Sequence, residues 1–195
     1  NIDGGVFFND INNLITRVLT DSNLQQYSYI NIGNYKTTGL KINSELKFDY
    51  LTIDVGAAHI GRYNDLSENF KSISNFNFSP EIRSSIIYNW PKYNLRLSTF
   101  YKYTGPTIRF NLNDDDEIIE STMGSFNTMD ANIAKTFNNI QNKFSIEWIF
   151  GLKNLFDVQN VNSSGSSSGV HTQSSNSAPV SWGRSVFSTI KIKFN

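Results

Sequence analysis

The chain has no cysteine among its 195 residues, which removes disulfide scaffolds, thiolate zinc sites and cysteine nucleophiles together. Histidine is nearly as scarce. His59 and His171 are the only two, and neither has a second imidazole or a carboxylate at metal-ligand spacing, so each reads as an ordinary polar side chain and no metal or cofactor is expected. Charge of one sign is also missing: 17 Lys and Arg balance 17 Asp and Glu. Without a broad positive field, nucleic-acid binding through phosphate neutralisation is a poor first reading, and no nucleic-acid partner is expected. Long hydrophobic runs are absent, the longest being short stretches such as Trp148 to Leu152, far below the roughly 18 apolar residues of a transmembrane helix. Membrane residence as a β-barrel remains open. Helix formers such as Ala, Glu and Lys are sparse beside Ile, Thr, Tyr and Phe, and Asn and Ser make up about a quarter of the chain, a composition of strands and loops. The first residue is Asn1, with neither an initiating Met nor a signal segment, so the expectation is a processed chain or a piece of a longer one.

What is present is period-two alternation. Leu95, Leu97, Thr99, Tyr101 and Tyr103 oppose Arg96, Ser98, Phe100 and Lys102. Phe144, Ile146, Trp148, Phe150 and Leu152 oppose Ser145 and Glu147, and Ile190, Ile192 and Phe194 oppose Thr189, Lys191 and Lys193. Such segments are strands with two unlike faces. The pattern predicts eight, at about 2–18, 27–48, 51–60, 76–90, 95–103, 126–137, 143–152 and 184–194. A bulge or bend is expected in the second, around Gly33 and Gly39, where the pattern changes face.

The connections alternate in kind. Short turns are expected at Asp49-Tyr50, at Pro91 to Asn94 and around Asn138 to Asn142, and long polar loops at about 19–26, 61–75, 104–125 and 153–183. Tight turns at one end and long excursions at the other are the asymmetry of outer-membrane barrels. Aromatic residues sit at strand ends: Phe48, Tyr50, Tyr88, Trp90, Tyr93, Phe137, Phe144 and Phe194 beside the short turns, Tyr101 and Tyr103 toward the long loops. Belts of this kind suit the two bilayer interfaces; the rings of a soluble β-sandwich core are the other reading. On the barrel reading, Leu95, Leu97, Phe144, Ile146, Trp148, Ile190 and Ile192 face lipid. Lys41, Glu45, Lys47, Asp54, Glu81, Arg83, Arg96, Lys102, Asp130, Glu147, Lys191 and Lys193 then face inward. Trp182 and Arg184 are expected to anchor at the interface.

Little chemistry is available. Two histidines in separate elements make no Ser-His-Asp triad, so no enzyme is predicted. Asp114 to Glu117 lacks the alternating spacing and Gly of a calcium loop and reads as a solvated acidic tip. Asn162-Ser163-Ser164 matches a glycosylation acceptor only formally. Residues 160 to 181, rich in Ser, Gly and Asn, read as a mobile external loop unable to pack a core.

Gly151-Leu152-Lys153-Asn154-Leu155-Phe156-Asp157, leaving a strand for a long loop, resembles the Asn-Leu-Phe-Asp signature near the C-terminus of TonB-dependent outer-membrane receptors. Val6 to Ile11, Lys36 to Leu40 and Gly183 to Phe187 follow the family's order and spacing. The resemblance implies an all-β, antiparallel transmembrane barrel of which residues 1–195 supply about eight C-terminal strands, some fourteen short of a 22-stranded wall. It implies residence in the outer membrane of a Gram-negative bacterium, among outer-membrane lipid and lipopolysaccharide. It further implies partnership with the remaining strands, with a plug and with an energy-transducing periplasmic protein, the last two engaged through N-terminal regions that have no counterpart here. Phe194 would serve as the assembly signal, displaced by one from the usual last position. The implied activity is import of a scarce large nutrient such as a siderophore, haem, cobalamin or an oligosaccharide, with His171 the loop candidate for haem. Two rivals stand beside it: a complete eight-stranded barrel with a structural or adhesion role, and a soluble carbohydrate-binding β-sandwich.

Overall fold

A computed structural model of the chain describes residues 1–21, 26–31, 34–64, 76–112, 118–138, 144–164 and 177–194. The structure is all-β, with a single one-turn 3-10 helix at Pro91–Tyr93 among the described residues. Eight long strands form one sheet: β1 (Ile2–Asn12), β4 (Asn34–Lys47), β5 (Leu51–Asn64), β6 (Asn77–Trp90), β7 (Leu95–Thr104), β10 (Phe126–Asn138), β11 (Phe144–Lys153) and β14 (Ser185–Phe194). They lie in that order, each antiparallel to its neighbours. This is an up-and-down meander, and it matches the eight segments read from period-two alternation. The sheet is open. β1 and β14 are its two edges and do not pair with each other, as a complete eight-stranded barrel would require.

Two expected strands were drawn too long. The first ends at Asn12, and Asn13 takes a left-handed conformation (φ 58°) that redirects the chain into β2 (Ile15–Asp21). The second divides into β3 (Gln26–Asn31) and β4. Gly33 lies outside the described residues, while Gly39 lies in unbroken register opposite Phe7 and Ile60. Gly39 is small for another reason: a Cβ there would stand 2.5 Å from the His59 carbonyl oxygen and 2.9 Å from the Phe7 ring. Gly61 beneath Phe78 and Gly151 beneath Phe187 repeat the arrangement, each glycine directly opposite its ring. An aromatic ring laid over a cross-strand glycine covers the backbone that the glycine exposes.

The long connections are not all loop. β2 and β3 form one hairpin, β8 (Thr107–Leu112) and β9 (Ile118–Met123) a second, and β12 (Asn160–Ser164) and β13 (Ser177–Pro179) a third. Together they make a second sheet in the order β13-β12-β9-β8-β2-β3. The expected loop 104–125 is therefore mostly hairpin; in sequence, Ile108, Phe110 and Leu112 alternate with polar residues, which is the period of a strand. Residues 160 to 181 also depart from expectation at both ends, where Val161 and Ala178 are buried with Met123, and Phe126, Val158 and Val180 pack around them. The middle of that segment with His171, the acidic run Asp114 to Glu117, and the turn at 139–143 lie outside the described residues.

Two of the three turns expected to be short, at Asp49-Tyr50 and at Pro91 to Asn94, are so. Phe48 N–H donates to the Leu51 carbonyl at 2.8 Å, and Asn94 N–H to the Pro91 carbonyl at 3.0 Å. Asn94 is left-handed (φ 47°), as are Asn154 and Asp157. These are the residue types that enter this region at least cost after glycine, and the abundance of Asn finds part of its use here.

Candidate functional site

Register sorts the side chains of the main sheet onto two faces. One cross-strand row runs Asp3, Asn43, Gly56, Arg83, Lys102, Thr128, and the next runs Glu45, Asp54, Ser85, Phe100, Asp130. All twelve charged residues expected to point inward share this face. On the opposite face, the described charged residues are Asp10, Lys36 and Lys135, each near a strand end. Lys36 sits over the Tyr63 ring and 4.0 Å from Asp10. Lys135 turns its ammonium to the Tyr93 carbonyl in the short turn, the behaviour of a long cation leaving an apolar surface for a polar border.

The apolar face is continuous. Leu95, Lys135, Trp148 and Ile190 are cross-strand partners in one row, Ile146 opposes Ile192, and Phe144 opposes Phe194. The seven residues read as lipid-facing thus lie on one face, with Leu97 one row further along. Nothing among the described residues packs on it: Leu40, Ile42, Ile86, Phe150 and Ile190 are exposed, Ile190 by 67%. A soluble sandwich would bury such a face against a second sheet. Trp148 donates its indole N–H to Ser188 Oγ at 2.8 Å, so the ring presents carbon outward with its polar atom paired.

The charged face is concave. A depression of about 690 Å³ is lined by Asp3, Asn43, Glu45, Asp54, Arg83, Phe100, Lys102 and Asp130 among others. Its acids are held by specific donors. Asn43 Nδ2 donates to Asp3 at 2.9 Å, Ser85 Oγ to Asp54 at 2.7 Å, and the Asn154 N–H to Asp130 at 2.8 Å, while Lys47 pairs with Glu45 at 2.8 Å. Further along, Arg62 meets Glu81 at 3.2 Å. Glu147 takes Arg96 at 2.8 Å and Lys191 at 3.6 Å, reaching toward β7 over Ala134, which is only 2% exposed. Hydrated pairs of this kind contribute about 1 kcal/mol or less each; their value is a polar surface without stranded charge. No group of three or more His, Cys, Asp or Glu placed to hold a metal occurs among the described residues.

The Asn-Leu-Phe-Asp turn proves to be a clamp. Asn154 is buried, donates through Nδ2 to the Val158 carbonyl (2.9 Å) and to Ser181 Oγ (2.8 Å), and accepts from the Val158 N–H at Oδ1 (3.1 Å). Leu155 N–H reaches back to the Met129 carbonyl on β10 at 2.7 Å. Asp157 accepts the Arg184 N–H at 2.7 Å, and the Arg184 guanidinium donates to the Leu155 carbonyl at 2.7 Å. The Arg184 N–H, followed by Gln159, holds the Asp157 carboxyl below its ordinary value of 3.8. Arg184, expected at the membrane interface, is tied into this staple; Trp182 stands fully exposed beside it. Gly183 (φ 87°) fits where a Cβ would meet Asp157 and Gln159 at 2.9 Å. Phe194 is exposed opposite Phe144 at the far end of β14. The Gly–Phe pairs and the small apolar cluster around Met123 were missed at the sequence level. The first needs strand register to be seen; the second had a signal in Val158, Val161, Ala178 and Val180 flanking a polar run.

Compared with known families, residues 1–155 match the model for the TonB-dependent receptor-like β-barrel. Comparison with curated proteins and with solved structures found no match. The matched span takes in β1 to β11 and the clamp's Asn154 and Leu155, and on this ground the chain belongs to the TonB-dependent receptor β-barrel family, outer-membrane receptors of Gram-negative bacteria.

Proposed function

We propose that these eight strands are part of the wall of an outer-membrane receptor that imports a scarce large nutrient, a siderophore, haem, cobalamin or an oligosaccharide. The observation that carries the reading is the open, two-faced sheet: apolar outside, charged and concave inside, with both edges unpaired. In hydrocarbon, each edge would strand several N–H and C=O groups at several kcal/mol apiece, so the wall is completed by further strands. The concave face then borders a lumen that houses a plug, and energy arrives through a periplasmic partner. Long hairpins on one side meet the ligand, and the chain binds and passes solute without transforming it.

The reading is tested in cells carrying the whole polypeptide. Spin labels at 146 and 190 should be relaxed by lipid-soluble oxygen and a label at 189 by a water-soluble agent. Deleting the gene should abolish growth on one of the four nutrient classes when it is limiting. Water-exposed labels at 146 and 190 would refute the facing, and unchanged growth on all four would refute the import reading.

A further inference from the structure

Arg83 and Lys102 are direct cross-strand partners on the concave face. Like charges placed opposite one another destabilise a sheet, and four other cations of this face take a carboxylate: Arg62 has Glu81, Arg96 and Lys191 have Glu147, Lys47 has Glu45. Arg83 and Lys102 have no ion pair among the described residues. The acids around them take hydrogen bonds from neutral donors instead, Asp3 from Asn43, Asp54 from Ser85 and Asp130 from the Asn154 N–H. Gly56, opposite Arg83 in register, leaves the room: a Cβ there would lie 3.2 Å from Arg83 Cγ and 2.7 Å from Asn43 Oδ1. The Phe100 ring, two residues along the strand from Lys102, is 44% exposed in the same depression.

We infer that Arg83 and Lys102 form a binding site on the wall for a single carboxylate attached to an apolar or aromatic body. The guanidinium offers a planar fork that a carboxylate fills, and the ammonium a second donor. Phe100 supplies the apolar contact, and a depression of about 690 Å³ is of the size that holds small ligands. Asp3, Glu45, Asp54 and Asp130 line the same depression, so each further carboxylate on a ligand adds repulsion, and a monoanion is preferred to a polyanion. The site rests on the reading of the concave face as lumenal, and it adds a ligand chemistry to that surface.

The whole receptor in lipid nanodiscs is titrated calorimetrically with benzoate, benzyl alcohol and citrate. Benzoate should bind, with benzyl alcohol and citrate at least tenfold weaker. The double variant Arg83→Gln/Lys102→Gln should lose at least tenfold in benzoate affinity, and Arg83→Lys, which keeps the charge but not the planar fork, should lose affinity by a smaller factor. Absence of benzoate binding, equal binding to the double variant, or tighter citrate would overturn the site. Spin labels at 189 and 190 in the same nanodiscs separate the two failures. Labels reporting water at 189 and lipid at 190 with no benzoate bound would sink the site alone, whereas the reverse pattern would sink the lumenal assignment with it.

Discussion

The two sheets of this molecule are built on opposite economies of burial. The eight-stranded sheet is long and regular yet has almost no core: Ala134 is its one buried apolar side chain among the described residues, and its hydrophobic face is uncovered. The six-stranded sheet is made of short hairpins, yet it holds the compact apolar cluster of Met123, Val161 and Ala178. The contrast teaches where the solvent changes. A sheet whose apolar side chains point away from the protein expects hydrocarbon there, while hairpins that gather theirs inward behave as water-exposed protein does.

The sharpest way to break this comparison is to place one charge on each face of β14. Ile190→Arg should cost about 2 to 4 kcal/mol near the bilayer midplane, and Thr189→Arg, one residue away on the charged face, far less. Folding equilibria in lipid vesicles measure both, and equal costs would erase the distinction between the faces. Next in size is Met123→Ala, which removes the largest side chain of the small cluster. It should cost about 2 kcal/mol, at the low end for buried Met, and the loss should be local. Hydrogen exchange should quicken in β9, β12 and β13 while the main-sheet strands β4 to β6 stay protected; faster exchange throughout would show one cooperative unit instead of two. The smallest effect concerns the junction between the sheets. Because the Asp157 carboxyl is held below 3.8 chiefly by the Arg184 N–H, its contribution is present above the unfolded value and fades as pH falls below about 4 through the folded one. Exchange at the Arg184 amide should show an acid-side loss of protection that Asp157→Asn removes. An identical profile in that variant would mean that another group controls the clamp.

Much of the main sheet was legible in sequence because its signal is duplicated. Each strand states its two faces by alternation, as from Leu95 to Tyr103, and each short turn carries its own residue chemistry, as Pro91 to Asn94 do. The second sheet was not legible, for the same physical reasons in reverse. Its strands are as short as Ser177–Pro179, too brief for a period to show. The expected loops were drawn from polarity, which reports solvent contact rather than backbone shape. The inward residues were read correctly as a face, but Gly56 and the opposition of Arg83 to Lys102 depend on register between strands, and no single strand records that. The tie between Arg184 and Asp157 was not legible because the two lie 27 residues apart.

The clamp at Asn154, Asp157 and Arg184 fixes the two feet of the longest connection to each other and to β10. Whatever the chain carries between Val158 and Val180 therefore starts and finishes at the same two points in space, independent of its length. Such a closed base works as a socket: the stretch between β12 and β13 can be lengthened, shortened or exchanged for a foreign one without shifting the pairing of β11 with β14, while β12 and β13 themselves stay tied to Met123. A lineage can then rewrite what this connection presents to its surroundings while inheriting the wall unchanged.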